Sequence, residues 1–515
     1  MVGLLAALVS ITAFLYFFST GQVLLYGDSV AHINIARRVV DSLTPGPLQL
    51  GTVWLPFPHL LILPLVWIDR LWQSGIAGSI PSMAAYALGT VGMLRLGKTV
   101  TSLAGASIAT LAYAANPNLI YMQATAMTES IFLATVIWAV YFVARYMQAT
   151  RENDETAATS SLYKAAAALL CAIFTRYDGW FLAASTIVLV LMVWIRAHRE
   201  QRKQLRPAVR NFVLLLALGP ALWLTYNYAI FSNALEFATG PYSARAIAER
   251  TTRAGDPPHP GFHSVKTAGL YFLKTTRLNV AEGKREWMLF IAAVVGTTLA
   301  LFQTTMRPAL LLWIPLPFYM LSIAYGGVPI FIPEWWPFSY YNVRYGLQLL
   351  PAICLFTGVV LDAVRRLVQN RSAQRAVLLV ILGAISASYA NVWRKVPICL
   401  REARVNAVTR MNFEAALTAE LRKLPPDARL LMFTGSNVGA LQAAGIPLKR
   451  VVNEGNYLLW DAALADPSHT ADFVIAVAGD AVAQSAAQHP EGLSVLARIQ
   501  TPGKPPAVIY RALRH

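Results

Sequence analysis

Four short stretches of this sequence gather side chains that can move a proton or hold an anion. Asp28 follows the first apolar run in Tyr26-Gly27-Asp28-Ser29, and His32, Arg37 and Arg38 come after it. Positions 28, 32 and 35 share a face if this segment is helical. Glu129 opens an apolar run in Ala126-Met127-Thr128-Glu129-Ser130, and Thr175-Arg176-Tyr177-Asp178-Gly179-Trp180 interrupts two others. Tyr340-Tyr341-Asn342-Val343-Arg344-Tyr345 precedes a further one. A carboxylate so placed can take the proton of an attacking hydroxyl. A guanidinium can grip a phosphate through two parallel hydrogen bonds. Ionisable groups at the mouths of apolar helices are site candidates by default.

Each stretch also has a plain structural explanation. Asp28 marks a helix end at a membrane interface, and Glu129 complements a helix dipole beside the capping residues Thr128 and Ser130. Asp178-Gly179 makes a tight turn in which Arg176 pairs with Asp178, and Arg344 snorkels to the interface. Residue type alone leaves both accounts open. His259 and His263 stand four apart, but Pro257, Pro258 and Pro260 remove the helix that would align them. Cys171, Cys354 and Cys399 build neither a disulfide framework nor a zinc spacing. No cofactor is fixed by these patterns, and a divalent metal is left open.

The elements that must position these groups are legible from composition. Apolar residues make up 56% of the chain and charged residues 13%, against roughly 25% charged in soluble domains. Residues 2–25 carry no charge at all. That stretch lacks the basic start of a signal peptide, so it reads as a retained helix. Spans of about 20 apolar residues fall near 2–25, 80–97, 103–116, 130–147, 163–176, 179–195, 209–231, 286–304, 308–325, 345–364 and 375–391. The chain is therefore expected to be an α-helical polytopic membrane protein of about eleven transmembrane helices, with a small C-terminal α/β extramembrane domain. The boundary lies between 392 and 393. In the tail, 405–424 reads as helix and 429–433, 450–453, 473–477 and 507–510 read as strands.

A net charge of +17 does not indicate nucleic acid, because the basic residues sit at helix ends and in loops rather than along one stripe. Arg196, Arg199, Arg202, Lys203, Arg206 and Arg210 crowd one connector. With 145–164 and 365–375 they fall on one side, which the positive-inside rule assigns to the cytoplasm. The N-terminus is then cytoplasmic and residues 393–515 lie outside, in the periplasm if the membrane is the inner membrane of a bacterium. The expected outer loops are 27–79, 117–129, 232–285 and 326–344. They hold Asp28, His32, His59, Glu129 and Arg344 together with aromatic clusters such as Trp54-Leu55-Pro56-Phe57-Pro58-His59, while Arg176, Tyr177 and Asp178 fall at the outer turn between two spans and Tyr345 at the start of another. Residues 59–72 suit a single interfacial helix.

In order and placement, these motifs across residues 1–365 resemble the GT-C superfamily of membrane glycosyltransferases. Protein O-mannosyltransferases and aminoarabinose transferases are the most similar in feel. The resemblance implies a polyprenyl-phosphate sugar as donor and a lipid, glycan or protein acceptor, with hexosyl or pentosyl transfer on the outer face of the membrane. It implies Asp28 as base, Glu129 and Asp178 as further catalytic acids, and Arg344 as phosphate ligand. Tyr345, His59, Arg176, Tyr177 and His32 complete the substrate-binding set. Ser29 stands where many relatives carry a second acid, so Glu129 and Asp178 share the candidacy for base. Two rival classes are a lipid or sugar flippase and a non-catalytic envelope scaffold. A transporter tends to show internal repeats, and no convincing repeat is present.

Overall fold

The computed structural model describes residues 1–251, 255, 257–368, 370–435 and 437–513. Backbone polar groups have no water to bond inside a bilayer, so each apolar run closes its own hydrogen bonds as a helix. All eleven expected segments are helical. Among the described residues, nine helices are long and apolar enough to cross a membrane. They include α1 (Val2–Ser19), α5 (Ile76–Val100), α8 (Glu129–Arg151), α9 (Glu155–Ile173), α10 (Asp178–Arg196) and α11 (Arg199–Phe231). The others run through Arg307–Tyr325, which ends in α16 (Pro315–Tyr325), through Val343–Leu367, which ends in α17 (Leu350–Leu367), and through Arg371–Leu421. That last stretch joins α18 (Arg371–Arg394) to α19 (Ile398–Leu421). The remaining two, α6 (Leu103–Ala114) and α15 (Glu286–Leu301), are shorter. The chain is a multi-pass membrane protein.

Close crossings bring these helices together. The backbones of Gly105 on α6 and Gly358 on α17 abut, so a Cβ on either would collide with the other's carbonyl oxygen. A Cβ at Gly296 on α15 would strike the carbonyl of Phe356. Such small-residue contacts are how membrane helices gain packing area without a hydrophobic driving force between them. The helix through 343–367 is the most enclosed, and α1 turns Leu4, Leu8 and Leu15 outward.

Several expectations need correction. The first helix stops at Ser19, because Gly21 takes φ +68° and closes a Schellman cap, Gln22 N–H donating to Phe17 O and Gly21 N–H to Phe18 O. Asp28 consequently opens its own helix, α2 (Gly27–Val40), instead of ending the first. The single interfacial helix at 59–72 is two short ones, α3 (Phe57–Ile62) and α4 (Asp69–Ser74), with Pro64, which has no N–H to donate, in the turn between them. The loop 232–285 contains α12 (Glu236–Thr239), α13 (Ala244–Thr251) and the largely buried α14 (Val265–Val280). Lys274 and Arg277 lower the hydropathy of α14, and both are buried, with Lys274 2.7 Å from Glu286 and 2.6 Å from Glu334. The remaining short helix of the bundle is α7 (Pro117–Met122).

The C-terminal domain is a five-stranded sheet in the order β2-β1-β3-β5-β4, from Leu430–Met432 (β1), Val451–Val452 (β2), Phe473–Val477 (β3), Leu493–Ile499 (β4) and Ala507–Ala512 (β5). Strands β1, β2 and β3 are parallel, while β5 runs antiparallel to both β3 and β4. The four expected strands are present. The fifth, β4, is an edge strand in which only Ile499 is buried, so no apolar alternation announces it. The expected helix at 405–424 begins earlier, and its first turns bury Cys399, Leu400, Glu402 and Ala403.

The sheet domain shares a core with α2, α3 and α4, since Ile33, Ala36, Ile62 and Trp72 pack with Phe413, Leu417, Leu430 and Met432. Polar bonds fix the same helix. Arg37 pairs with Asp41 at 2.7 Å and Asp69 at 2.8 Å. Asp41 accepts from the backbone of Leu448 and Lys449, and Asn34 donates to Gln442 at 2.6 Å.

Candidate active site between the helix bundle and the C-terminal domain

Four elements bring charged ends to one place. Asp28 stands in the first turn of α2 and Glu129 in the first turn of α8, where a carboxylate is favoured by the dipole. Arg176 and Asp178 flank the turn between α9 and α10, and Arg344 lies in the 3-10 turn that leads into α17. Their side chains alternate in sign. Asp28 Oδ2 accepts from Arg344 Nη2 at 2.6 Å. Arg344 Nε lies 3.4 Å from Glu129 Oε1, and the same oxygen lies 3.4 Å from Arg176 Nη1. Arg176 Nε is 3.5 Å from Asp178 Oδ1.

The row is mostly shielded from solvent. The Glu129 side chain is 0% exposed and that of Asp178 1%, whereas that of Asp28 is 38% exposed. Glu129 Oε2 and Asp178 Oδ1 are buried without a hydrogen-bond partner. Thr128 does not cap α8 with its side chain; its hydroxyl accepts from Arg176 instead. Tyr345 lies against both cations, its ring centroid 5.0 Å from the Arg344 guanidinium and 4.8 Å from that of Arg176. Cation-π contact of this kind fixes the planes of the guanidiniums.

The histidines form a second group one turn along α2. His32 Nδ1 and His59 Nε2 are 2.9 Å apart, and His32 packs against Trp54 with ring centroids 4.8 Å apart. Both are buried, and burial is the main force that keeps them neutral. With the nearby Arg344 and Arg176 it pushes His32 down to about 3. Burial, His32 and Arg38 together hold His59 well below its ordinary range. Tyr177 is turned away from the row. Its hydroxyl donates to Val53 O at 3.1 Å, accepts from Trp223, and its ring stacks on Phe237.

Four further residues complete the arrangement, and none was among the sequence candidates. Glu402 on α19 is 1% exposed, with Oε1 3.6 Å from Arg344 Nη1. It accepts from the backbone of Val343 and Arg344 and from the Tyr26 hydroxyl at 2.9 Å. Tyr319 on α16 accepts from Arg176 Nη2 at 2.7 Å and donates to Asp178 Oδ2 at 3.4 Å. Asn118 and Asn279 dock the start of α19 by bonding the Cys399 backbone N–H and thiol. A buried acid in an otherwise ordinary tail helix and a tyrosine within an apolar span carry no signal of their own in the sequence.

Four carboxylates thus surround two guanidiniums. Such a site can hold an anion on the cations and deprotonate a hydroxyl at the exposed acid. Among the described residues, no group of three or more His, Cys, Asp or Glu side chains is arranged to hold a metal ion.

No family model matches this chain, and no curated protein matches it. Among solved structures, ArnT from Cupriavidus metallidurans bound to undecaprenyl phosphate superposes with a TM-score of 0.62 at 13% identity, over 98% of this chain and 97% of that one. The Archaeoglobus fulgidus oligosaccharyltransferase AglB, in complex with an inhibitory peptide and a dolichol-phosphate, matches with a TM-score of 0.48 at 12% identity, over 98% of this chain and 73% of that one. The likeness to ArnT gives the fold: an ArnT-like GT-C bundle with a small C-terminal sheet domain.

Proposed function

We propose that this chain is an integral membrane glycosyltransferase. It moves a hexose or a pentose from a polyprenyl-phosphate donor to a hydroxyl of a lipid, glycan or protein, with inversion. The observation that carries this reading is the alternating row Asp28, Arg344, Glu129, Arg176, in which one acid alone is exposed. The fold is shared with ArnT, whose structure holds undecaprenyl phosphate.

In this mechanism the donor phosphate enters the fork of Arg344 and displaces Asp28 from it. The freed carboxylate accepts the proton of the acceptor hydroxyl. That oxygen bonds to the anomeric carbon while the bond from this carbon to the phosphate oxygen breaks. The electron pair stays on the phosphate, whose added charge Arg344 and Arg176 offset, so the leaving group needs no proton. Glu129 and Asp178, closed off from the acceptor, hold the guanidiniums in aim. Attack from the face opposite the phosphate inverts the anomeric centre. We assign the reaction to the outer face of a bacterial inner membrane, with residues 393–515 as the periplasmic domain. A reporter active only in the cytoplasm should be silent when fused at residue 450.

The test is consumption of undecaprenyl-phosphate hexoses and pentoses by the detergent-purified chain, read as release of undecaprenyl phosphate. Acceptor-dependent release supports the transferase. Translocation of the lipid in sealed vesicles without its consumption would identify a flippase instead, and neither activity would leave a scaffold.

A further inference from the structure

At the other end of the bundle from the charged row, α11 enters the membrane with a face that sugar transfer does not use. Helix α10 begins at Asp178 in that row and ends at Arg196, so the connector after it lies at the opposite membrane face. On α11, Arg206, Arg210, Leu214 and Leu218 follow one another at intervals of four, so they share one side of the helix, and all are exposed. Arg199 and Lys203 extend that side outward, also exposed. One strip of helix thus passes from cations to leucines within a rise of about 18 Å.

Beside the leucines, α9 and α11 leave an open recess of about 410 Å³, lined by Tyr163, Asn211, Leu214, Leu215 and Leu218. Its rim is polar. Asn211 Nδ2 donates to the Tyr163 hydroxyl at 2.9 Å, and Arg210 Nε and Nη2 each lie 3.3 Å from Asn211 Oδ1. These bonds hold the guanidinium at the rim and leave Arg210 Nη1 and the Tyr163 O–H free to donate. Among the described residues, no carboxylate pairs with Arg206 or Arg210, and Glu200 pairs with Lys203. Glu155 on α9 faces Gln204, about 12 Å along the helix from Tyr163.

An apolar recess at hydrocarbon depth takes a chain from the surrounding lipid, because water finds no partners there. Any lipid can offer a chain, so the rim decides among headgroups. Its donors and cations, with no acid beside them, suit a phosphate diester that carries no ammonium. A zwitterionic lipid brings an ammonium that the same cations repel.

We propose that the recess between α9 and α11 binds one anionic phospholipid of the leaflet opposite the candidate active site. An acyl chain lies along Leu214 and Leu218, and the phosphate meets Arg210 and Tyr163. This inference rests on the membrane fold and is independent of the transferase reading.

Native mass spectrometry of the full chain in detergent, titrated with phosphatidylglycerol and with phosphatidylcholine of the same acyl chains, tests this. Phosphatidylglycerol should bind at the lower concentration. Arg210→Gln should weaken it by about tenfold, the lower end for a hydrogen bond to a charged group, and leave phosphatidylcholine unchanged. Arg375→Gln, which removes a cation at the same membrane face outside the recess, should bind both like wild type. Leu214→Trp, which fills the recess and keeps every charge, should weaken both. Binding should persist in Arg344→Ala, which separates this site from the proposed donor site, and glycerol 1-phosphate, a headgroup without chains, should not displace the lipid. The site is overturned if the two lipids bind alike, if folded Arg210→Gln holds phosphatidylglycerol like wild type, or if Arg375→Gln loses as much. It is equally overturned if Leu214→Trp has no effect, if Arg344→Ala abolishes binding, or if glycerol 1-phosphate displaces the lipid. A dimer that Leu214→Trp breaks would put a second chain in the recess and also overturn it.

Discussion

Arg344 Nη2 donates to Asp28 Oδ2 at 2.6 Å, joining residues 316 apart in the sequence. In the proposed mechanism this bond is a placeholder: the cation meant for the donor phosphate holds the acid meant for the acceptor proton. Asp28 is partly exposed, so solvent screens the pair and its loss is inexpensive. A phosphate oxygen pair offers Arg344 a bidentate replacement.

Arg344→Ala should therefore weaken undecaprenyl phosphate binding by about tenfold to hundredfold. Arg344→Lys should recover only part, because an ammonium cannot form the fork. The check is a binding isotherm on detergent-purified protein, with thermal midpoints to establish folding. Equal affinity in wild type and folded Arg344→Ala would remove this residue from the donor site.

Glu402 has the opposite sign. It lies 3.6 Å from Arg344 in a site where four carboxylates face two guanidiniums. Glu402→Gln keeps the shape and an acceptor for Tyr26 but removes a charge that repels the donor. Undecaprenyl phosphate should bind more tightly to it than to wild type by severalfold, on the order of one screened charge pair. Weaker binding would mean that the carboxylate is needed to aim Arg344.

The histidine pair makes stability depend on pH. His32 is held at about 3 against an ordinary 6.5, and His59 is lowered too. Below pH 6.5 the unfolded chain takes up protons that the folded chain refuses. The stabilisation is complete above that value and is lost progressively as pH falls toward 3. Thermal midpoints should drop between pH 6.5 and 4 in wild type and drop less in the His32→Gln, His59→Gln double variant. Parallel curves would show that the pair does not titrate this way.

The sequence made the bundle legible because a bilayer demands long uncharged runs, and every expected span is a helix. Asp28, Glu129, Arg176, Asp178 and Arg344 stood out for the same reason, as charges breaking those runs. Their convergence was not legible, since it depends on which helix mouths meet. Glu402 was hidden because an acid in a polar tail helix is ordinary; only docking by Asn118 and Asn279 makes it buried. The helix α14 was hidden because Lys274 and Arg277 read as loop charges until Glu286 and Glu334 are seen beside Lys274. Strand β4 lies at an edge and needs no apolar alternation.

The most direct test of the account is the rate of sugar transfer by Asp28→Asn, measured beside its undecaprenyl phosphate binding. Asparagine keeps the shape and can still accept from Arg344, but it cannot take the acceptor proton. Turnover should fall by about 10²- to 10⁴-fold, the usual contribution of a general base, while donor binding does not weaken and Glu129→Gln and Asp178→Asn, closed off from the acceptor, lose less. A folded Asp28→Asn variant that transfers sugar at the wild-type rate would contradict the assignment of Asp28 as the base.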